Sequence, residues 1–294
     1  MATKLYTSQF VKIIPSIFEN KTHFLRAFGG TVQTVDGIRN TDEFMTIKVS
    51  DAEAVIQEYS TDANVAFGTG TGSSSRFGEM KEIISVDKSL PYDAPLAINE
   101  GVDYATVNDV PEQVVAERLE KQAEAWATHV DEQLATLIAS TSGIEKGTGD
   151  VKTLFANARK HFVNNKVNRL NEWVAYVTPD VYNALLESGL MTTGKNSATN
   201  IDEGEVKKAY GFIVEEVDEV LMEKTGADAV FLPANFGVVG LGINVSRTLE
   251  SADFAGVAIQ SMAKYGKYVP ENNVKAAYAG TLEVTPEAEV TPEA

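Results

Sequence analysis

WVAYVTPDVYNALLES, residues 173–188, followed after a polar loop by KKAYGFIVEEV, residues 207–217, is the stretch on which the fold turns. Five apolar residues, Trp173 to Val177, read as a short buried strand. Thr178 can cap the helix that follows, Pro179 fits its first turn because its φ is already set, and Asp180 meets the positive end of the helix. Gly189 is placed to stop it, and Tyr210-Gly211-Phe212 opens a second strand. A strand, a capped helix and a strand occur in many α/β and α+β proteins, so the flanking sequence must decide between them.

Upstream lies the longest periodic segment. Apolar residues recur at Val115, Leu119, Ala123, Trp126, Val130, Leu134 and Leu137, steps of three or four that hold one stripe on a helix. Asp109 and Glu112 resemble a capping box, Pro111 sits in the first turn, and Gly143 can terminate the helix, so a rod is predicted over 109–142. At ~1.5 Å per residue it is roughly 45 Å long. A Gly-rich connector at 144–150 then leads to an amphipathic helix from Val151 to Lys160.

Before the rod, Met45, Ile47 and Val49 alternate on one face of a strand, and Glu82 to Asp87 reads as its return partner. Between them lies AFGTGTGSSSRFG, residues 66–78, in which Gly68, Gly70 and Gly72 with three serines leave little to pack. The strands and this mobile tip form a protruding hairpin, with Arg76 and Phe77 beside the glycines. The first forty residues carry small apolar clusters (Ile13, Ile14, Phe18, then Phe24, Leu25, Phe28) that cannot form a core alone and must lie on something else. Downstream, 231–233 and 238–242 read as apolar strands and 254–268 and 274–282 as extended chain. Residues 283–288 and 289–294 repeat EVTPEA, an acidic sequence with nothing to bury that reads as a flexible tail.

Composition excludes several classes of function. The 294 residues are 44% hydrophobic and 23% charged, ordinary values for a folded chain. No cysteine is present, which removes disulfides, thiolate metal sites and cysteine nucleophiles. A formal charge of −17, from 25 basic and 42 acidic residues, opposes a grip on nucleic acid through its phosphates. No apolar run is long enough to span a bilayer and no continuous apolar leader opens the chain, so no membrane partner and a cytosolic origin are expected.

No catalytic, cofactor or metal residues are assigned. His23, His129 and His161 are far apart, and His129 with Asp131 and Glu132 does not share one helix face. GLMTTGKN at 189–196 satisfies G-x-x-x-x-G-K, but Asn196 stands where magnesium needs a hydroxyl, and the motif follows a helix where a phosphate loop follows a strand. GTGTG at 68–72 lacks the third glycine of a dinucleotide fingerprint. The run Glu215, Glu216, Asp218, Glu219 reads as a solvated strand end.

Taken in order, the arm, the Gly/Ser-tipped hairpin, the rod helix, WVAYVTPDVYNALLES and YGFIVEEV resemble the Hong Kong 97-type major capsid proteins of tailed bacteriophages over nearly the whole chain. The resemblance implies an α+β fold with an N-terminal arm (1–40), an extended β-hairpin or E-loop with flanking strands (41–99), and a peripheral domain (100–149) holding the spine helix (109–142). It further implies an axial domain (150–250), returning peripheral strands (251–283) and a tail (284–294). Such proteins build hexamers and pentamers of an icosahedral shell around double-stranded DNA, without a cofactor and without sequence-specific DNA binding. Gly68, Gly70, Gly72, Arg76 and Phe77 become the candidate assembly residues. A virion location, assembly in the bacterial cytoplasm, a portal and a separate scaffolding protein are expected, the last because no N-terminal scaffolding region is seen. Lys81 and Lys88 give no basis for covalent cross-linking. An encapsulin-type shell, a soluble enzyme with an unrecognised site, and a tail-tube subunit are the competing readings.

Overall fold

The computed structural model describes residues 22–29, 33–34, 43–49, 56–62, 65, 75–80, 82, 86–105, 111–188 and 208–283. The expected cap at Asp109, the helix stop at Gly189, the G-x-x-x-x-G-K motif, Gly68, Gly70, Gly72 and the duplicated tail lie outside these residues. In chain order the strands are β1 (Gln33–Thr34), β2 (Glu43–Val49), β3 (Val86–Pro91), β4 (Leu96–Asp103), β5 (Glu145–Gly149) and β6 (Trp173–Val177). They continue as β7 (Lys208–Ala209), β8 (Phe212–Glu216), β9 (Ala229–Pro233), β10 (Val238–Glu250), β11 (Gly256–Tyr268) and β12 (Tyr278–Leu282). The helices are α1 (Pro111–Ser140), α2 (Val151–Asn164), α3 (Pro179–Glu187), α4 (Glu219–Glu223) and α5 (Glu271–Val274), and a 3-10 turn spans Phe24–Phe28. The chain is α+β.

Residues 41–91 form one compact unit, and residues 1–40 with 92–294 form another. In the smaller unit β2 and β3 pair antiparallel, with Val49 opposite Val86 and Met45 opposite Leu90. The described return strand is Val86–Pro91, which overlaps the predicted 82–87 at Val86 and Asp87, residues 83–85 lying outside the described ones. Pro91 falls opposite Glu43 at the strand end, where its missing N–H costs least.

The larger unit contains two sheets, one of four strands in the order β1-β10-β11-β4 and one of six in the order β5-β12-β9-β6-β8-β7. β6 is buried along its whole length because both of its faces are covered. Val174 and Tyr176 pack with the 3-10 turn and with Trp126, Val130 and Leu134 of α1. Trp173, Ala175 and Val177 pack with Phe155 and Phe162 of α2 and Val181 and Leu185 of α3. The period-two alternation of WVAYV thus serves two cores. β9 repeats the arrangement, with Val230 and Leu232 on one face and Ala229 and Phe231 on the other.

Local chemistry sets the helix starts. Thr178 Oγ1 accepts from the Val181 N–H at 3.4 Å, with Pro179 at the first position of α3, and Asp150 Oδ1 accepts from the Thr153 N–H at 3.2 Å at the start of α2. α1 lies over the four-stranded sheet. Trp126 Nε1 donates to Ser261 Oγ at 3.1 Å, and Ser261 Oγ donates to Gln122 Oε1 at 3.0 Å, which satisfies the buried polar atoms between helix and β11.

The expected connector at 144–150 is instead β5, an edge strand parallel to β12. A Cβ on Gly147 would lie 1.8 Å from the Tyr278 hydroxyl, so the glycine here permits close approach of a side chain from the neighbouring strand. The sheets also interleave the segments read from sequence. β10, inside 150–250, pairs with β11, whereas β12, at the end of 251–283, returns to the sheet of β6 and β9.

Candidate functional site

Among the described residues no group of three or more His, Asp or Glu could hold a metal ion, and no helix is long and apolar enough to cross a membrane. The histidines lie apart. His129 sits beside the rings of Trp126 and Tyr265, and His161 Nδ1 lies 2.6 Å from Glu145 Oε2. His23 contacts Glu215, 192 residues away in sequence.

Of the candidate assembly residues, Arg76 and Phe77 are described. Arg76 fastens its hairpin from the inside: Nε donates to Val65 O at 3.2 Å, Nη2 donates to Asp62 O at 3.3 Å, and the Arg76 carbonyl accepts from the Ser60 N–H at 2.9 Å. Gln57 bridges the same two segments, donating to Glu79 O at 3.0 Å and accepting from the Glu79 N–H at 3.1 Å. Outside these bonds Phe77 and Tyr59 meet edge to face at 5.1 Å, and Phe77, Ile56 and Met80 are 78%, 99% and 99% exposed. Arg76 and Gln57 thus bond within the hairpin, while Ile56, Phe77 and Met80 are presented outward.

A second construction holds the N-terminal turn. The carboxylate of Asp131, buried on α1, accepts from the backbone N–H of His23 at 2.7 Å and of Phe24 at 3.1 Å, capping the turn from 107 residues away. The imidazole of His23 approaches Glu215 Oε1 of β8 at 3.3 Å, and Phe24 stacks on Tyr176 with centroids 4.8 Å apart. Burial pushes the Asp131 carboxyl up to about 6, against the opposing pull of the two N–H donors. The hydrogen bond to Glu215 raises the His23 imidazole, and the charges of Asp131 and Asp218 act in the same direction. Glu215, expected at a solvated strand end, is thus half-buried and partnered.

The two ends of the six-stranded sheet differ in charge. At the start of β6 and β8, a cavity of ≈ 270 Å³ is lined by Arg159, Arg169 and Lys208 with Trp173 and Tyr210. The guanidinium of Arg169 lies 5.6 Å from the centroid of the Trp173 ring. Glu172 is the carboxylate at this end, and it pairs with Arg26 at 2.6 Å. At the other end of the same strands, a cavity of ≈ 320 Å³ is lined by Asp180, Glu219, Glu223 and Asp228. Sequence reading missed both clusters, since their members come from segments far apart in the chain and lack a shared spacing.

No protein-family model and no curated protein sequence matches the chain. Solved structures do. The mature capsid of bacteriophage PhiM1 matches with a TM-score of 0.60 at 12% identity, covering 90% of this chain and 88% of the other. The capsid of the cyanophage P-SCSP1u matches with a TM-score of 0.63 at 13% identity, covering 90% and 89%. A virus-like particle from Pyrococcus furiosus matches with a TM-score of 0.53 at 12% identity, covering 95% and 99%. At such low identity the likeness concerns the backbone, and it establishes that this chain has the Hong Kong 97-type capsid fold.

Proposed function

We propose that the chain is the major capsid protein of a tailed bacteriophage, a structural subunit that assembles into the hexamers and pentamers of an icosahedral shell enclosing double-stranded DNA. The observation that carries this reading is the backbone likeness to two phage capsids over 90% of the chain. The four-stranded sheet with α1 supplies the peripheral domain, and the six-stranded sheet with α2 and α3 supplies the axial domain. Residues 1–40 act as the N-terminal arm and 41–99 as the E-loop region, whose tip, Gly68, Gly70, Gly72, Arg76 and Phe77, interlocks with a neighbour. Exposed Ile56, Phe77 and Met80 support that role, because apolar side chains presented together find burial only on another surface. The charge of −17 suits a container that does not bind its contents tightly. A separate scaffolding protein and a portal complete the assembly in the host cytoplasm.

The test is electron microscopy of the purified protein, with and without a co-expressed scaffolding protein. Capsomers and closed shells are expected, and compact dimers that never form capsomers would overturn the reading. Likeness to the archaeal virus-like particle favours an encapsulin-type shell as the second reading. Small uniform cages from the chain expressed alone, filled with protein cargo, would select it.

A further inference from the structure

We propose that copies of this chain meet head to tail through the two ends of the six-stranded sheet, the basic end of one (Arg159, Arg169, Lys208) receiving the acidic end of the next (Asp180, Glu219, Glu223). The proposal rests on the shell-forming reading above and identifies a surface for it.

The basic end runs against the character of the whole molecule. In a chain of net charge −17, three cations converge on one cavity, and no carboxylate among the described residues pairs with them. Glu172 is already engaged by Arg26 through two hydrogen bonds, at 3.2 and 2.6 Å. Lys208 lies on the edge strand β7, and Arg159 and Arg169 are exposed beside it, so a partner's carboxylates can reach all three. Arginine forks are suited to carboxylates, and Trp173 under Arg169 limits the positions that its side chain can take.

The complement is present on every copy. Asp180 stands in the first turn of α3, and Glu219 and Glu223 are separated by one turn of α4, all exposed. Asp228 behind them is occupied, accepting from the Leu282 N–H at 2.8 Å, and the nearby Lys224 is paired with Glu132 at 2.6 Å. Three carboxylates therefore remain to meet three cations.

Strand direction keeps the two ends apart within one molecule. β6 and β8 are parallel, so both begin at the basic end and both finish at the acidic end. Five residues at ~3.3 Å each separate the ends by roughly 13 Å or more. Among the described residues, the acidic end of one copy cannot reach its own basic end, whereas that of a neighbour can. A contact between two different patches is heterologous, and it closes into a ring when the rotation between neighbours permits. A nucleic-acid phosphate could also attract the three cations, but the remaining surface of this chain repels a polyanion.

Charge reversal tests the contact. One variant carries Arg159→Glu, Arg169→Glu and Lys208→Glu, and a second carries Asp180→Lys, Glu219→Lys and Glu223→Lys. Sedimentation velocity and electron microscopy should show wild-type rings, and ring formation weakened at least about tenfold in each variant alone. Mixing the two variants should restore rings in which they alternate, so rings of six return and rings of five do not. A chain carrying all six substitutions should again form both. Rings in each variant at wild-type level would overturn the proposal while leaving the capsid reading intact, and a wild-type chain that makes no rings under any condition would overturn both. If a triple variant unfolds on heating well below wild type, Arg169→Gln with Lys208→Gln replaces it, and unchanged ring formation there overturns the contact. Short duplex DNA retained by the wild type and released by the Glu variant, with rings unaffected, would overturn it in favour of a nucleic-acid site.

Discussion

Every side chain of β6 and β9 is buried, whereas in the hairpin unit Ile56, Phe77 and Met80 stand almost free of cover. Both regions carry several large apolar residues. They differ in where the apolar area finds a partner. In the six-stranded sheet it is found within one molecule, so it contributes to folding at about 25 cal/mol per Å² removed from water. In the hairpin Leu90 is covered but Ile56, Phe77 and Met80 are not, so under the proposed assembly their contribution comes on association. Apolar content alone therefore does not separate a stabilising segment from one proposed to assemble.

The strongest way to break this contrast is Phe231→Ala. Phe231 packs against Phe155 and Phe212 with centroids 4.9 and 5.1 Å apart, and its loss should cost about 3–5 kcal/mol in chemical unfolding of the isolated subunit. Ser in place of Ile56, Phe77 and Met80 should leave that unfolding within about 0.5 kcal/mol of wild type yet abolish assembly. An unfolding change as large as that of Phe231→Ala would erase the distinction. Gly256→Ala extends the test to the four-stranded sheet. A Cβ there would lie 2.0 Å from Val102 O, a backbone atom that cannot swing away, so a loss on the order of 3 kcal/mol is expected in the same assay.

Asp131 sharpens the contrast at the junction of turn, helix and sheet. Its folded-state proton affinity corresponds to about 6, against 3.8 for an ordinary aspartate, so the folded chain holds this proton more tightly than the unfolded chain. The associated stability is complete below the unfolded value and is lost as pH rises through about 6, a change of up to about 3 kcal/mol. His23, also raised, has the same sign and loses its contribution above its ordinary 6.5. Urea unfolding at pH 5 and pH 8 should show the wild type less stable at the higher pH, with the difference reduced in Asp131→Asn. An unchanged difference would remove Asp131 as its source. The smallest effect is expected on the outer face of α1, where Lys121 and Glu124 form an exposed pair at 3.0 Å. Lys121→Ala should leave the unfolding midpoint essentially unchanged in the same assay, because solvent screens the pair.

The contrast also explains what was legible in the sequence. WVAYV with its Thr-Pro-Asp start, and the apolar stripe of α1, were readable because their signals are local: strand alternation, a cap and helical spacing. β5 was not, because EKGTG has no strand signal of its own and exists as a strand through its pairing with β12, more than a hundred residues later. The Asp131 cap, and the clusters at the two sheet ends, join residues whose spacing carries no pattern. Phe77 was singled out for its place beside a glycine-rich tip, but its exposure and its ring contact with Tyr59 depend on how the two segments meet.

The capping of Phe24 by Asp131 and the pairing of β1 with Gly240 and Leu241 of β10 carry a consequence for synthesis on the ribosome. The first described residues to leave the exit tunnel are among the last that can be seated. Their parallel strand partner emerges some two hundred residues later, about 10–40 s at ordinary bacterial rates of elongation. Asp131 and the apolar face of α1 emerge about halfway through that interval, but Phe28 still lacks the ring of Phe236, 6.1 Å away in the folded chain, until its end. The docking of β1 on β10 is therefore a long-range closure, of the kind that high contact order makes slow.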